Sequence, residues 1–128
     1  MNKENKIYVA GHTGLVGSAI VRRLLEGGST NLLLKSHGEL DLTNQLAMNE
    51  FFQRERPEYV FIAAGLVGGI KANSEAPADF FFVNMQIANN LLWAAKNCAV
   101  KKVLYLGSAC MYPKECEQPM KEEFLLAG

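Results

Sequence analysis

Metal-binding side chains are scarce: the 128 residues include two histidines, His12 and His37, and three cysteines, Cys98, Cys110 and Cys116. The cysteines show neither C-x-x-C spacing nor an even framework, so the sequence predicts reduced thiols and no metal centre. Net charge is lacking as well, because thirteen Lys and Arg balance thirteen Asp and Glu. That leaves no field to draw nucleic acid or an acidic membrane surface. No apolar run is long enough to span a bilayer, and the start MNKENKIYVAG has neither the apolar core nor the small-residue cleavage site of a signal peptide. The expectation is a cytoplasmic protein with no nucleic-acid and no membrane partner. Repeats, low-complexity tracts and linkers are absent too; 49% of the residues are apolar, enough for one domain with a real core.

What is present is an alternation of short apolar runs with amphipathic stretches. A strand is expected at Ile7 to Ala10, then a helix with Val16, Ala19, Ile20 and Leu24 facing inward, ended by Gly27-Gly28. Asn31 to Leu34 reads as a second strand, apolar throughout as strands covered on both faces are, which points to a parallel sheet. Thr43 is the expected cap of a helix running to about Arg56, where Pro57 disfavours helical geometry. Tyr59 to Ala63 is strand three. The glycine-rich loop LVGGIKANSEA leads to Pro77 and a long helix whose Phe81, Met85, Ala88, Leu92 and Ala95 recur at helical spacing. Val103 to Leu106 is strand four, expected to pair with strand one on one side and a fifth strand on the other. The remainder, with Pro113 and Pro119, reads as irregular. With right-handed crossovers this β-α-β-α-β-α-β order gives an α/β, Rossmann-like, doubly wound parallel sheet, truncated after about four strands.

In such a sheet the turn from strand one into helix one lies at the carboxyl edge, where a dinucleotide pyrophosphate binds. The stretch GHTGLVGS places Gly11, Gly14 and Gly17 there. The first glycine permits a tight turn, the second a close approach of backbone to phosphate, and the third close packing of helix on strand. The first spacing is wider than in G-x-G-x-x-G, and a packing turn would use the same glycines. Strand two ends Lys35-Ser36-His37 with no carboxylate before Glu39 and Asp41. A basic residue there suits the 2′-phosphate of NADP(H) rather than the free ribose of NAD, although exposed basic residues are more often simply solvated. Gly107-Ser108-Ala109-Cys110 follows strand four at the same edge. A serine hydroxyl there can hydrogen-bond a substrate carbonyl, and a cysteine can move a proton. The plainer roles are a hydrogen-bonded strand-end serine and a small buried cysteine.

Four pieces, GHTGLVGSAI, ELDLTN, VGGIKAN followed by PADF, and KKVLYLGSACMYPK followed by QPM, make the chain resemble the amino-terminal part of the GDP-L-fucose synthase family, epimerase-reductases of the extended short-chain dehydrogenase/reductase superfamily. The first piece is shared across nucleotide-sugar epimerases and dehydratases; the later ones, in that order, are specific to the fucose synthase branch. The resemblance implies NADP(H) as cofactor and a GDP-linked 4-keto-sugar as substrate. The C4 ketone acidifies C3 and C5, so both can be inverted through an enolate before hydride traps the carbonyl. It implies that Ser108 polarises the C4 oxygen and Cys110 acts as acid/base in the epimerisations. Cofactor contacts would come from Gly11, His12, Thr13, Gly14, Leu15, Val16 and Gly17 around the pyrophosphate, and from Leu106, Gly107, Ser108 and Ala109 along a second segment. Lys35, Asp41, Leu42, Ala63, Ala64 and Gly65 would complete them.

The chain departs from the family in three respects. Members often carry arginine where this chain has Thr13 and His37, with Lys35 as the compensating charge. Ala109 and Gly65 stand where relatives vary in side-chain size. The family's Tyr-x-x-x-Lys, which protonates the C4 oxygen, is expected beyond Gly128, together with a histidine acid and the substrate domain. Residues 1–128 are thus expected to be the amino-terminal part of an NAD(P)-binding domain. Such a domain would be marginally stable and inactive if made alone, and would dimerise at full length through its long helix and one other.

Overall fold

Strand β1 (Ile7–Ala10) has all four side chains wholly buried, and the computed structural model, which describes residues 1–127 and leaves Gly128 outside, centres a parallel sheet on it. The strand order is β2-β1-β3-β4, with β2 (Leu32–Leu33), β3 (Tyr59–Ile62) and β4 (Lys102–Tyr105). β1 pairs with β2 through Ile7↔Leu32 and Tyr8↔Leu33, and with β3 from Ile7↔Tyr59 to Ala10↔Ile62. The expected parallel, doubly wound sheet is therefore present. Strand four lies elsewhere than its sequence suggests: it pairs with β3, from Tyr59↔Lys102 to Ile62↔Tyr105, and not with β1. Both sides of β1 are already filled, so β4 joins the sheet at an edge, on the outer side of β3. Leu104 and Tyr105 are about half exposed on this edge strand.

Side chains alternate across β1 and so feed two cores. Tyr8 and Ala10 face one side with Val60 and Ile62, covered by α2 (Gln45–Glu55) through Met48, Phe51 and Phe52, and by α4 (Pro77–Asn97) through Ile87, Leu91, Ala94 and Ala95. The Tyr8 ring centroid lies 4.9 Å from that of Phe51 and 5.9 Å from that of Phe52, in tilted and edge-on geometry, arrangements favoured by the ring quadrupole. Ile7 and Val9 face the other side, where α1 (Leu15–Glu26) lays Leu24, Ile20 and Val21 over them. Val16 and Ala19, expected to point inward, are exposed. Gly17 is the buried residue of the first turn instead, which swings the packed stripe of α1 toward Gly17, Val21 and Leu24 and turns Val16 to the carboxyl edge. Gly28, with φ of 83°, ends the helix in the left-handed region.

The cap of α2 is Asn44, whose side chain accepts from the Ala47 N–H at 3.1 Å. Thr43, the expected cap, is engaged upstream, its hydroxyl donating to Asp41 Oδ1 at 2.7 Å. The helix ends at Glu55, and Arg56 ahead of Pro57 has φ of 50°. Within the glycine-rich loop a short helix, α3 (Ile70–Glu75), precedes Pro77 at the first turn of α4. Of the stripe expected to face the core from α4, Ala88 and Ala95 are buried, whereas Phe81, Met85 and Leu92 are exposed, Phe81 by 70%. The helix is apolar almost all round, and its packing on α2 selects the adjacent stripe of Ile87, Leu91 and Ala94. No helix among the described residues is long and apolar enough to cross a membrane.

Candidate functional site

The carboxyl ends of β1, β3 and β4 open into one cleft of about 950 Å³. Its floor is the glycine turn. Gly11 has φ of 80°, and a Cβ there would sit 2.4 Å from the Ala63 carbonyl oxygen, so the position excludes side chains on two grounds. A Cβ on Gly17 would lie 2.0 Å from the Gly11 carbonyl oxygen, so its absence lets α1 press onto the turn. Gly14 differs: its nearest would-be neighbour is at 3.4 Å, an ordinary contact, and it lines the cleft. The three glycines thus divide into a turn, an open floor and a close contact. Gly14 is also the N-cap of α1 and supplies no side-chain cap. The N–H groups of the first turn therefore have no intrahelical acceptor, and they lie at the positive end of the helix dipole. Beside them His12 Nδ1 is buried without a hydrogen-bond partner.

Most of the residues expected at the site line this cleft. Gly11, Thr13, Gly14, Leu15 and Val16 form its floor, and Lys35, Asp41 and Leu42 the wall beyond β2. Ala63, Ala64 and Gly65 follow β3, and Leu106, Gly107 and Ser108 follow β4. Four expected residues do not line it: His12, Gly17, Ala109 and Cys110. Cys110 is exposed rather than a small buried residue.

Asn84, which the sequence reading passed over, holds one wall in place. Its side-chain amide accepts from the Leu66 N–H at 2.7 Å and donates to the Leu66 carbonyl at 2.9 Å, pinning the segment after β3 to α4. A Cβ on Gly65 would be 2.9 Å from Asn84 Oδ1, so side-chain size at this position bears directly on that clasp. Farther along α4 the buried Asn90 donates to the Leu42 carbonyl at 2.9 Å and pins the segment after β2. The helix carries five amides, Asn84, Gln86, Asn89, Asn90 and Asn97, so residue type alone does not single out these two; Asn90 is the buried one, and a buried amide needs partners.

At the β4 end Ser108 caps the short 3-10 helix Ala109–Met111, its Oγ accepting from the Cys110 N–H at 3.2 Å. An oxygen used as acceptor keeps its O–H to donate, so Ser108 can offer a proton to an oxygen in the cleft. Beside it Gly107 leaves room for the Met111 side chain, whose Sδ would lie 2.6 Å from a Cβ at this position. At the β2 end the Asp41 carboxylate accepts from the Thr43 hydroxyl and N–H at 2.7 and 2.9 Å, and these bonds lower its pKa. Lys35 is paired with Glu39 at 3.1 Å. Such a cleft can hold an extended anion with its charge over the glycine turn and present a hydroxyl at one end.

A protein-family model described as the NAD dependent epimerase/dehydratase family matches residues 7–128. The chain is 57% identical over 127 residues to GDP-L-fucose synthase 1 of Arabidopsis thaliana, covering 99% of this chain and 39% of that protein. It is 47% identical over 128 residues to GDP-L-fucose synthase of Escherichia coli strain K12, covering 100% of this chain and 40% of that protein. Among solved structures, MlghC, a GDP-mannoheptose C4 reductase from Campylobacter jejuni with NADP bound, matches with a TM-score of 0.93 at 45% identity, covering 100% of this chain and 40% of that one. The chain thus spans about two fifths of the length of the relatives it matches.

Proposed function

The chain belongs to the NAD dependent epimerase/dehydratase family, and on that premise we propose that it forms the NADP(H)-binding part of an enzyme converting GDP-4-keto-6-deoxy-D-mannose to GDP-L-fucose. The observation that carries this reading is the glycine turn, whose three positions have three different surroundings and open onto a cleft that ends at Ser108. Likeness to GDP-L-fucose synthases over the whole chain supports it. When bound, NADPH supplies the hydride.

The chain's own residues take the following parts. Gly11 to Gly17 and the first turn of α1 hold the pyrophosphate through backbone N–H groups. Lys35 meets the 2′-phosphate, Asp41 and Leu42 flank the adenosine, and Ala63, Ala64 and Gly65 run beside the middle of the cofactor. Leu106, Gly107 and Ala109 follow its nicotinamide end. Ser108 donates its free O–H to the C4 oxygen of the sugar, and Cys110 exchanges protons at C3 and C5. No tyrosine in the 128 residues has a lysine four positions later, so the acid that completes reduction comes from outside them and these residues alone do not turn over. Residues 1–128 are then the amino-terminal part of the cofactor domain, in a cytoplasmic enzyme. The free edge of β4, the terminal strand of the order, is where a fifth strand adds. The exposed Phe81, Phe82, Met85, Leu92 and Trp93 of α4 form the face for a second copy.

A second reading, a GDP-sugar C4 reductase that does not epimerise, is favoured by the GDP-mannoheptose reductase, whose identity to this chain is nearly that of the bacterial fucose synthase. One assay separates the two: the protein at its native length is supplied with NADPH in D₂O and either GDP-4-keto-6-deoxy-D-mannose or a GDP-4-keto-heptose. The fucose reading expects deuterium at C3 and C5 of the product. It also expects Ser108→Ala to lower kcat on the order of 100-fold, with the NADP+ Kd within about twofold, and Cys110→Ser to suppress deuterium uptake more than ketone reduction. Reduction of the heptose alone, without deuterium at C3 or C5, favours the second reading. NADPH binding without turnover of either sugar overturns both in favour of a dinucleotide-binding module.

A further inference from the structure

Just past β2, three donors converge on one carboxylate. Glu39 Oε2 accepts from the Ser36 N–H at 2.9 Å and the Ser36 hydroxyl at 2.7 Å, while Oε1 accepts from Lys35 Nζ at 3.1 Å. The two Ser36 bonds, from a residue that does not line the cleft, fix the carboxylate, and the Lys35 ammonium is the kind of donor that a phosphate monoester takes. Lys35 is the one Lys or Arg among the described residues that line the cleft, with His37 beside it. Glu39 does not line it. The cation nearest the adenosine end is therefore already engaged by an anion of the chain itself.

We propose that Glu39 is a specificity-determining residue: its carboxylate, held in place by Ser36, occupies the Lys35 ammonium on which the 2′-phosphate of NADP(H) rests, and thereby reduces the preference of this site for NADP(H) over NAD(H). The inference rests on the cofactor reading given above. The phosphate and Glu39 compete for the same ammonium, and a like charge remains beside the phosphate once it is seated; NAD(H), with a free 2′-hydroxyl, meets neither cost. The Ser36 bonds and the Lys35 contact hold the Glu39 carboxyl at about 2, so it stays anionic at neutral pH. Glu39 also closes the turn that begins at Ser36, whose carbonyl accepts from the Glu39 and Leu40 N–H groups at 3.1 and 3.0 Å. A purely turn-forming Glu39 would affect both dinucleotides alike.

The test is the Kd of NADP+ and of NAD+, by titration calorimetry at fixed ionic strength, for the protein at native length and its Glu39→Gln variant. The expected result is a Kd for NADP+ lower by about threefold to fivefold, the modest size of an exposed charge effect, with NAD+ unchanged within about 1.5-fold. An unchanged or raised Kd for NADP+, or an equal change for both, overturns the inference. Should the variant not fold, the carboxyl ¹³C resonance of Glu39 in the unsubstituted protein is followed during titration with adenosine 2′-monophosphate. A shift as its donors change partner supports competition, and a static resonance at saturation overturns it. Binding of neither dinucleotide refutes the cofactor reading and this inference together, whereas NADP+ binding with no response to Glu39→Gln refutes the inference alone.

Discussion

The two ends of the sheet are finished in opposite ways. At the amino ends one side chain joins the segments that lead into three strands: Glu58 accepts from Asn5 Nδ2 at 2.9 Å and from the Lys6 N–H at 3.1 Å, and pairs with Lys101. At the carboxyl ends Gly11, Gly14, Gly65 and Gly107 remove side chains where the segments after β1, β3 and β4 meet the cleft. One end consumes its donors within the chain; the other leaves N–H groups of α1 without acceptors. A parallel sheet has all its strands starting at one edge and finishing at the other, so the edge closed by side chains can carry stability while the opposite edge is left to a ligand.

The strongest way to break this division is to add one methyl group to the open end. Gly17→Ala places a carbon where Gly11 O now stands 2.0 Å away. It should displace the turn and weaken NADP+ binding about 100-fold or more, since misplacement by about 1 Å has effects of this order, and lower the melting temperature as well. A smaller effect, confined to stability, is expected at the closed end. Glu58→Gln should lower the melting temperature at pH 7 and leave the NADP+ Kd unchanged. The Lys101 and Asn5 hydrogen bonds depress the Glu58 carboxyl from the ordinary 4.5 to about 2. Its contribution is therefore full above about pH 4.5 and lost as the pH falls toward about 2, so melting curves of wild type and variant should converge over that interval. The smallest effect is expected from Asn44→Ala, which removes the cap of α2 at about 1 kcal/mol in a urea titration. Dinucleotide affinity should not change, because Asn44 does not line the cleft.

What the sequence made legible was whatever is encoded over a few neighbouring residues. β1 appears with the expected bounds, Gly11 and Gly14 fall on the strand-to-helix turn with Gly17 in the first turn of α1, and the order of strands and main helices follows the apolar periodicity. Partner choice was not legible, because a strand's own residues carry no mark of which neighbour it joins; β4 beside β3 depends on β1 having been filled on both sides. Thr43 and Asn44 are both cap-forming types, with asparagine the better of the two, and the Thr43 hydroxyl is taken by Asp41. On α4 apolar residues surround the helix, so spacing could not tell Phe81 and Leu92 from Ile87 and Leu91. The glycine floor, Lys35 and Ser108 were found from position along the chain. Asn84 and Glu39 were not, since their importance lies in what they touch.

The register Ile7↔Tyr59 has a consequence for synthesis. The amino-end clasp joins Asn5 to a residue 53 positions later, and at about 5–20 residues per second a ribosome takes roughly 3–10 s to cover that distance. Throughout that interval Ile7, Tyr8, Val9 and Ala10, which become the most enclosed strand of the finished sheet, have no partner at all on one side. The nascent chain thus exposes its stickiest tetrapeptide early and protects it late, which makes these four residues the natural foothold for a chaperone that binds extended apolar segments.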